Sequence, residues 1–171
     1  KNIRNPFYVE TRELSLQLSA QMIHLTGKTQ SIQEAYDMAE DCLVSGKAYE
    51  IFDRMCRLQN GHINDLKTSK LKKEVKSKKA GFVSSFNVEK IGIAGIVLKA
   101  GREKTTDIIN PTSGIQFHKK INDSLVIGEP IYTIHGDEPD LFEKAEALLE
   151  QSYFVSEQKA KSHLLIKKIL A

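Results

Sequence analysis

The sequence has no tryptophan, and aromatics make up only 7% of its 171 residues, so any core it builds is largely aliphatic. Two cysteines, Cys42 and Cys56, are too few for a disulfide framework in a chain of this size. No second cysteine pair or histidine cluster supplies metal-ligand spacing. Both thiols lie in apolar-periodic stretches and are expected to be reduced and mostly buried, which fits a cytoplasmic protein. No apolar run approaches the ~18–20 residues of a membrane span, and no basic-then-apolar leader is present. The chain opens on Lys1 rather than Met, which gives the expectation that residues precede it in the natural protein. What is present, 40% hydrophobic and 27% charged residues, describes a globular chain of one ordinary domain or two small ones.

Arginine and aromatics are missing where the positive charge is densest. Between His62 and Ala80 stand Lys67, Lys70, Lys72, Lys73, Lys76, Lys78 and Lys79 against Asp65 and Glu74, while the whole chain carries a net of only +3. A lysine run can follow a phosphate backbone, but nothing here can stack a base. The run reads instead as a solvated linker or as a strand edge kept from pairing by its charges. Neither nucleic acid nor membrane is expected as a partner.

The first 61 residues read as helices. Leu14, Leu18, Met22 and Leu25 recur at helical steps over 11–25 and predict an amphipathic helix that Gly27 ends. Ser31-Ile32-Gln33-Glu34 has capping-box spacing, with Ile32, Ala35, Ala39, Cys42 and Leu43 on one face as far as Ser45-Gly46. A third helix from about Ala48 carries Ile51, Phe52, Met55 and Leu58, and Asn60-Gly61 closes it. Beyond residue 80 the period changes. Residues 81–86 predict a strand, Asn87 caps a helix bearing Ile91, Ala94 and Leu98, and residues 115–121 and 131–135 predict further strands. A helix follows over about 139–151, and Leu164-Leu165-Ile166 with Ile169-Leu170 predicts a last strand. The fold class is α+β. It divides into helices over 1–61, a basic linker or edge strand over 62–80, and an α+β domain over 81–171.

The residues assemble no self-contained active site. There is no glycine-rich phosphate cradle, no Gly-x-Ser-x-Gly elbow and no His-Glu-x-x-His. His24 lies within a helix, where packing accounts for it. His118 and His135 lie in or beside predicted strands, at a separation a hairpin can bridge, but no carboxylate is placed to orient either imidazole. Arg102 and Asp107, five residues apart, predict an internal ion pair.

Two resemblances follow from the glycine pattern. The string Gly81, Gly114, Gly128-Glu129-Pro130 resembles the biotinyl and lipoyl carrier domains, which implies a noncatalytic carrier-like or binding module as the alternative reading. No lysine here has the neighbours a carrier's modified lysine needs. The fuller resemblance is to the thymidine and pyrimidine-nucleoside phosphorylases, in their C-terminal portion. It is carried by Ser45-Gly46-Lys47-Ala48 with Phe52 and Gln59-Asn60-Gly61, by Ala80-Gly81-Phe82-Val83, and by Ala100-Gly101-Arg102 with Asp107. The longest match runs from Gly114-Ile115-Gln116-Phe117-His118-Lys119-Lys120-Ile121 to Gly128-Glu129-Pro130-Ile131-Tyr132-Thr133-Ile134-His135. Three positions depart from the family pattern: Lys99 and Asn60 replace glycines, and Asn110 stands where aspartate is common.

The resemblance implies a domain of the α/β-hammerhead or barrel-sandwich kind, preceded by helices that belong to the parent enzyme's α/β domain. The implied parent reaction is pentosyl transfer in nucleoside salvage: a pyrimidine (deoxy)nucleoside and phosphate give the base and (deoxy)ribose 1-phosphate. The implied assembly is a cytoplasmic homodimer. Some bacterial members also hold potassium, near the region matching residues 25–37. The family's phosphate loop, Lys-x-Ser within a glycine-rich segment, and its base-binding residues precede the matched region. No catalytic, cofactor-binding or metal residue carries over, and the chain alone is expected to be inactive. Helices without their parent sheet are expected to meet a second copy of the chain or to be more mobile than residues 81–171.

Overall fold

The computed structural model describes residues 5–161 and 164–169. The chain divides into two compact units, Lys1–Leu66 with His163–Ala171, and Lys67–Ser162.

The first unit is helical, with α1 at Val9–Leu25, α2 at Ile32–Val44 and α3 at Lys47–Leu58. Gly27 (φ 73°) and Gly46 (φ 88°) make the turns between them. The Ser31 hydroxyl accepts the Glu34 N–H at 3.1 Å, as the capping motif requires. The Glu34 carboxylate accepts from the N–H of Gln30 rather than of Ser31, one residue earlier than the motif places it. α1 and α2 form an antiparallel pair in which Leu16 and Ala20 are buried on α1, and Ala35 and Ala39 on α2. The expectation for α1 is therefore corrected. The stripe Leu14, Leu18, Met22 and Leu25 points outward, and a second, smaller stripe makes the contact. The cysteines are corrected too: Cys42 is exposed and Cys56 half-buried, both free. Only the two small alanines of α2 are fully buried, and Glu40 beside them pairs with Arg12 of α1. No side chain of α3 is buried.

The second unit holds two three-stranded antiparallel sheets. One has β1 (Leu71–Lys76), β5 (Pro130–Gly136) and β3 (Gly114–Phe117) in the order β1-β5-β3. The other has β4 (Ser124–Leu125), β2 (Gly81–Phe86) and β6 (Tyr153–Ser156) in the order β4-β2-β6. Two helices, α4 (Val88–Val97) and α5 (Asp140–Glu150), complete the α+β unit. Asn87 caps α4 by accepting the Lys90 N–H at 3.0 Å. The core joins Val75, Val83, Ala94, Leu98, Leu125, Ile131, Tyr132, Ile134, Phe142, Ala145, Leu149 and Tyr153. Tyr132 sits among the rings of Phe86, Phe117 and Tyr153, edge-on to Phe117 at 5.1 Å between centroids. Its hydroxyl donates to Ser152 Oγ at 2.9 Å, because the Ser152 proton goes to the Leu149 carbonyl. Gly81 has φ 139°, and a Cβ there would lie 2.5 Å from the Ser156 carbonyl oxygen, so the β2–β6 approach requires glycine.

Among the described residues the last strand is β6, directly after α5, and not a strand over 164–169. Residues 164–169 form no strand, and Leu170 lies outside the described residues. Both edges of β2 are already taken, by β4 and β6, and Lys167-Lys168 interrupts the apolar run at the end of the chain.

Two outcomes follow from this packing. Leu149→Ala should cost about 2–5 kcal/mol in denaturant unfolding, while Ile127→Ala, at an exposed loop position, should stay within about 0.5 kcal/mol. In the native protein iodoacetamide should modify Cys42 before Cys56, read by peptide mass spectrometry. Equal, slow modification of both would contradict the exposure of α2.

Candidate functional site

The outer face of the β1-β5-β3 sheet gathers the polar side chains that a search for chemistry would try first. The imidazole of His135, on β5, lies between Ser69 Oγ at 3.2 Å from Nδ1 and Gln116 Oε1 at 3.3 Å from Nε2. His118 Nε2 lies 2.7 Å from Thr133 Oγ1. The two histidines do not meet. His135 pairs with Gly114, whereas the His118 N–H donates to the Ile131 carbonyl, four residues away along β5. Ser69 against His135 has the outline of a nucleophile and base. The far nitrogen, however, faces an amide carbonyl, so no carboxylate stabilises an imidazolium. In the first unit, His24 Nδ1 lies 3.3 Å from Thr29 Oγ1, a contact that closes the α1–α2 turn.

The densest polar cluster centres on Asp137, at the β5–α5 turn. Its carboxylate accepts the Lys70 N–H at 2.8 Å, the Asn110 amide N–H at 2.9 Å and the Thr112 hydroxyl at 2.9 Å. The backbone N–H of Lys70, then Asn110 and Thr112, hold its pKa down at about 2. A carboxylate held ionised by three donors anchors segments and does not trade protons near neutrality. It ties the start of β1 and the loop after α4 to one point, and Asn110 Oδ1 adds a bond from the Thr112 N–H. The Asp137 anchor was not foreseen from the sequence. Its signal is Gly136-Asp137 closing a β-branched strand ahead of Pro139.

The loop after α4 also corrects an expectation. Asp107 accepts the backbone N–H groups of Glu103 and Lys104, at 3.0 and 2.8 Å, and forms no ion pair with Arg102. A short polar side chain in a loop closes a local turn at less entropic cost than it holds a long arginine. In the lysine-rich run, Lys73 and Lys78 pair with Glu146 and Glu150 of α5 at 2.6 Å each, and these bonds raise both lysine pKa values. Among the described residues no group of three or more His, Cys, Asp or Glu could hold a metal ion. No helix among them is long and apolar enough to cross a membrane. In the 25–37 region Glu34 accepts the Gln30 N–H and Asp37 accepts the Gln33 side-chain amide, at 2.8 Å each.

This arrangement defines a braced α+β domain. Residues 82–156 match the family model described as "Pyrimidine nucleoside phosphorylase C-terminal domain". The pyrimidine-nucleoside phosphorylases of Staphylococcus aureus strains USA300 and COL are each 34% identical to this chain over 135 residues. The match covers 75% of this chain and 31% of each relative, so the chain spans about a third of their length. The chain belongs to the pyrimidine-nucleoside phosphorylase family through this C-terminal domain.

The three departures from the family pattern now have physical explanations. Lys99 and Asn60 both adopt left-handed backbone, with φ 63° and 59°, where glycine is the unstrained residue. Asn tolerates that region, and Lys99 gains an ion pair with Glu138 at 2.7 Å. Asn110 donates to Asp137, which an ionised aspartate at that position could not do.

Asn110→Asp should therefore lower the melting temperature by several degrees at neutral pH, with the loss shrinking once the new carboxyl is protonated. The folded pKa of Asp137 lies below its ordinary 3.8, so its stabilisation is present above about pH 4 and is lost as pH falls towards 2. Asp137→Asn should remove that acid dependence. Thermal melts of the wild type and both variants between pH 2 and pH 7 would show this, and superimposable pH profiles would refute the anchor.

Proposed function

We propose that this chain serves in pyrimidine-nucleoside phosphorolysis, as the C-terminal domain of a cytoplasmic phosphorylase that works as a homodimer. The reaction transfers the pentosyl group of a pyrimidine (deoxy)nucleoside to phosphate, releasing the base and (deoxy)ribose 1-phosphate. The observation that carries this reading is the 34% identity to enzymes named pyrimidine-nucleoside phosphorylase, extending over 135 residues. The domain's part is structural: the Asp137 anchor and the aromatic core hold its loops in place, and the groups that bind nucleoside and phosphate are supplied from outside these 171 residues. Stabilising a departing base and an incoming phosphate needs positioned donors, and the sequence has no Lys-x-Ser in a glycine-rich segment.

Incubated with uridine or thymidine and phosphate, the purified chain should release no base above a blank. Turnover that copurifies with it would overturn the division of labour. Grafting residues 82–156 in place of the matching segment of the S. aureus enzyme should preserve uridine phosphorolysis. A folded but inactive graft would contradict the phosphorylase reading.

A further inference from the structure

Among the described residues three imidazoles lie against a hydroxyl: His24 against Thr29, His118 against Thr133 and His135 against Ser69. His135 is the one of the three that also bonds through its second nitrogen, with Gln116 Oε1 3.3 Å from Nε2. An amide oxygen only accepts, so this contact puts the ring proton on Nε2. Nδ1 of the neutral ring is then the acceptor, and Ser69 Oγ donates to it at 3.2 Å. Both contacts are long for hydrogen bonds, as catalytic contacts are before a substrate tightens them. The fold holds the three groups from three sides. Gln116 is on β3 and His135 on β5, in paired strands. Ser69 stands just before β1, where the Asp137 carboxylate accepts the next N–H, that of Lys70, and pins the chain. Ser69 and His135 are half-buried, which leaves the hydroxyl within reach of a small reagent. Lys72 is the strand partner of His135 across β1 and β5, and it adds an exposed cation to this end of the sheet.

We propose that Ser69, His135 and Gln116 form a nucleophile, base and orienting group that together take the acyl group from small activated esters. Ser69 Oγ attacks the ester carbonyl carbon while its proton passes to His135 Nδ1. The carbon–oxygen bond to the leaving group then breaks with its electron pair on the departing oxygen, and the imidazolium gives its proton to solvent. Gln116 is a positioning residue. Its carbonyl fixes the tautomer, but a neutral amide does not offset the imidazolium charge, which confines the chemistry to good leaving groups. The Lys70 N–H is committed to Asp137 and is not available to the oxyanion, so charge stabilisation falls to the Lys72 ammonium. Acylation is therefore slow, deacylation slower, and the acyl group accumulates on Ser69. The inference rests on this geometry alone and is independent of the phosphorylase reading.

Treated with p-nitrophenyl acetate at neutral pH, the 171-residue chain should release p-nitrophenolate in a burst. Peptide mass spectrometry should find the acetyl group on Ser69 ahead of Ser85, an exposed serine of β2. Ser69→Ala should abolish the burst, and His135→Gln should slow it about 100-fold, each with an unchanged far-ultraviolet circular dichroism spectrum. Gln116→Leu should slow the burst. Gln116→Glu, which sets a carboxylate behind the ring, should make it several-fold faster than wild type, an increase that a merely structural glutamine would not give. Acetylation confined to lysines, labelling of Ser69 no faster than of Ser85, or a Gln116→Glu rate no higher than that of Gln116→Leu overturns the proposal. If the His135 variant fails to fold, the ratio of Ser69 to Ser85 labelling in the wild type decides.

Discussion

Burial of the Tyr132 phenol is the constraint on which the second unit depends. The side chain is fully enclosed, and a buried hydroxyl without a partner would cost about as much as the ring's burial gains. Ser152 meets that need, and it sits where α5 hands over to β6. The hydrogen bond therefore fixes the end of a helix, the start of a strand and the centre of β5 together. Burial pushes the phenol up to about 12, so it is neutral near neutral pH. Phe86, Phe117 and Tyr153 pack around the ring from both sheets, which makes one residue the keystone of two sheets. With no tryptophan and few aromatics to spend, the sequence places four of its twelve phenylalanines and tyrosines at this point.

The same economy explains which parts of the fold could be read in advance. The strand at 130–136, the helices α4 and α5, the Asn87 cap and the turns at Gly27 and Gly46 all carry local signals: alternation, caps and obligatory left-handed backbone. Strand β6 was missed because it follows α5 after only two residues, so its Tyr-Phe-Val merges with the helix in the sequence. The apolar residues at 164–170 offered a competing strand signal, but no free strand edge is left for them on β2. On α1 the strongest periodicity marked the uncovered side, because the α2 contact is made by small residues that a hydrophobic count underweights. A period locates apolar faces without saying which of them has a partner.

For the site, the sequence's main legible message was negative, and the family resemblance supplied the rest. The histidines on β5 and after β3 were visible as residues, but sheet register keeps them four positions apart, and register cannot be read from one strand alone. Asp137 stayed hidden because its importance lies in three partners distant in sequence, at Lys70, Asn110 and Thr112. The family's glycines at two loop positions, by contrast, are explained by the left-handed backbone that Asn60 and Lys99 adopt here.

Residues 67–161 carry their own complete core, built around Tyr132 and braced by Asp137. Expressing residues 67–161 alone and comparing their amide proton–nitrogen correlation spectrum with that of the full chain tests this directly. The spectrum should be dispersed, with peaks for β2, β5, α4 and α5 that overlay those of the full chain, and unfolding should be a single cooperative transition. A collapsed, poorly dispersed spectrum would mean that the core is not self-sufficient, and that the domain takes its fold from residues outside it.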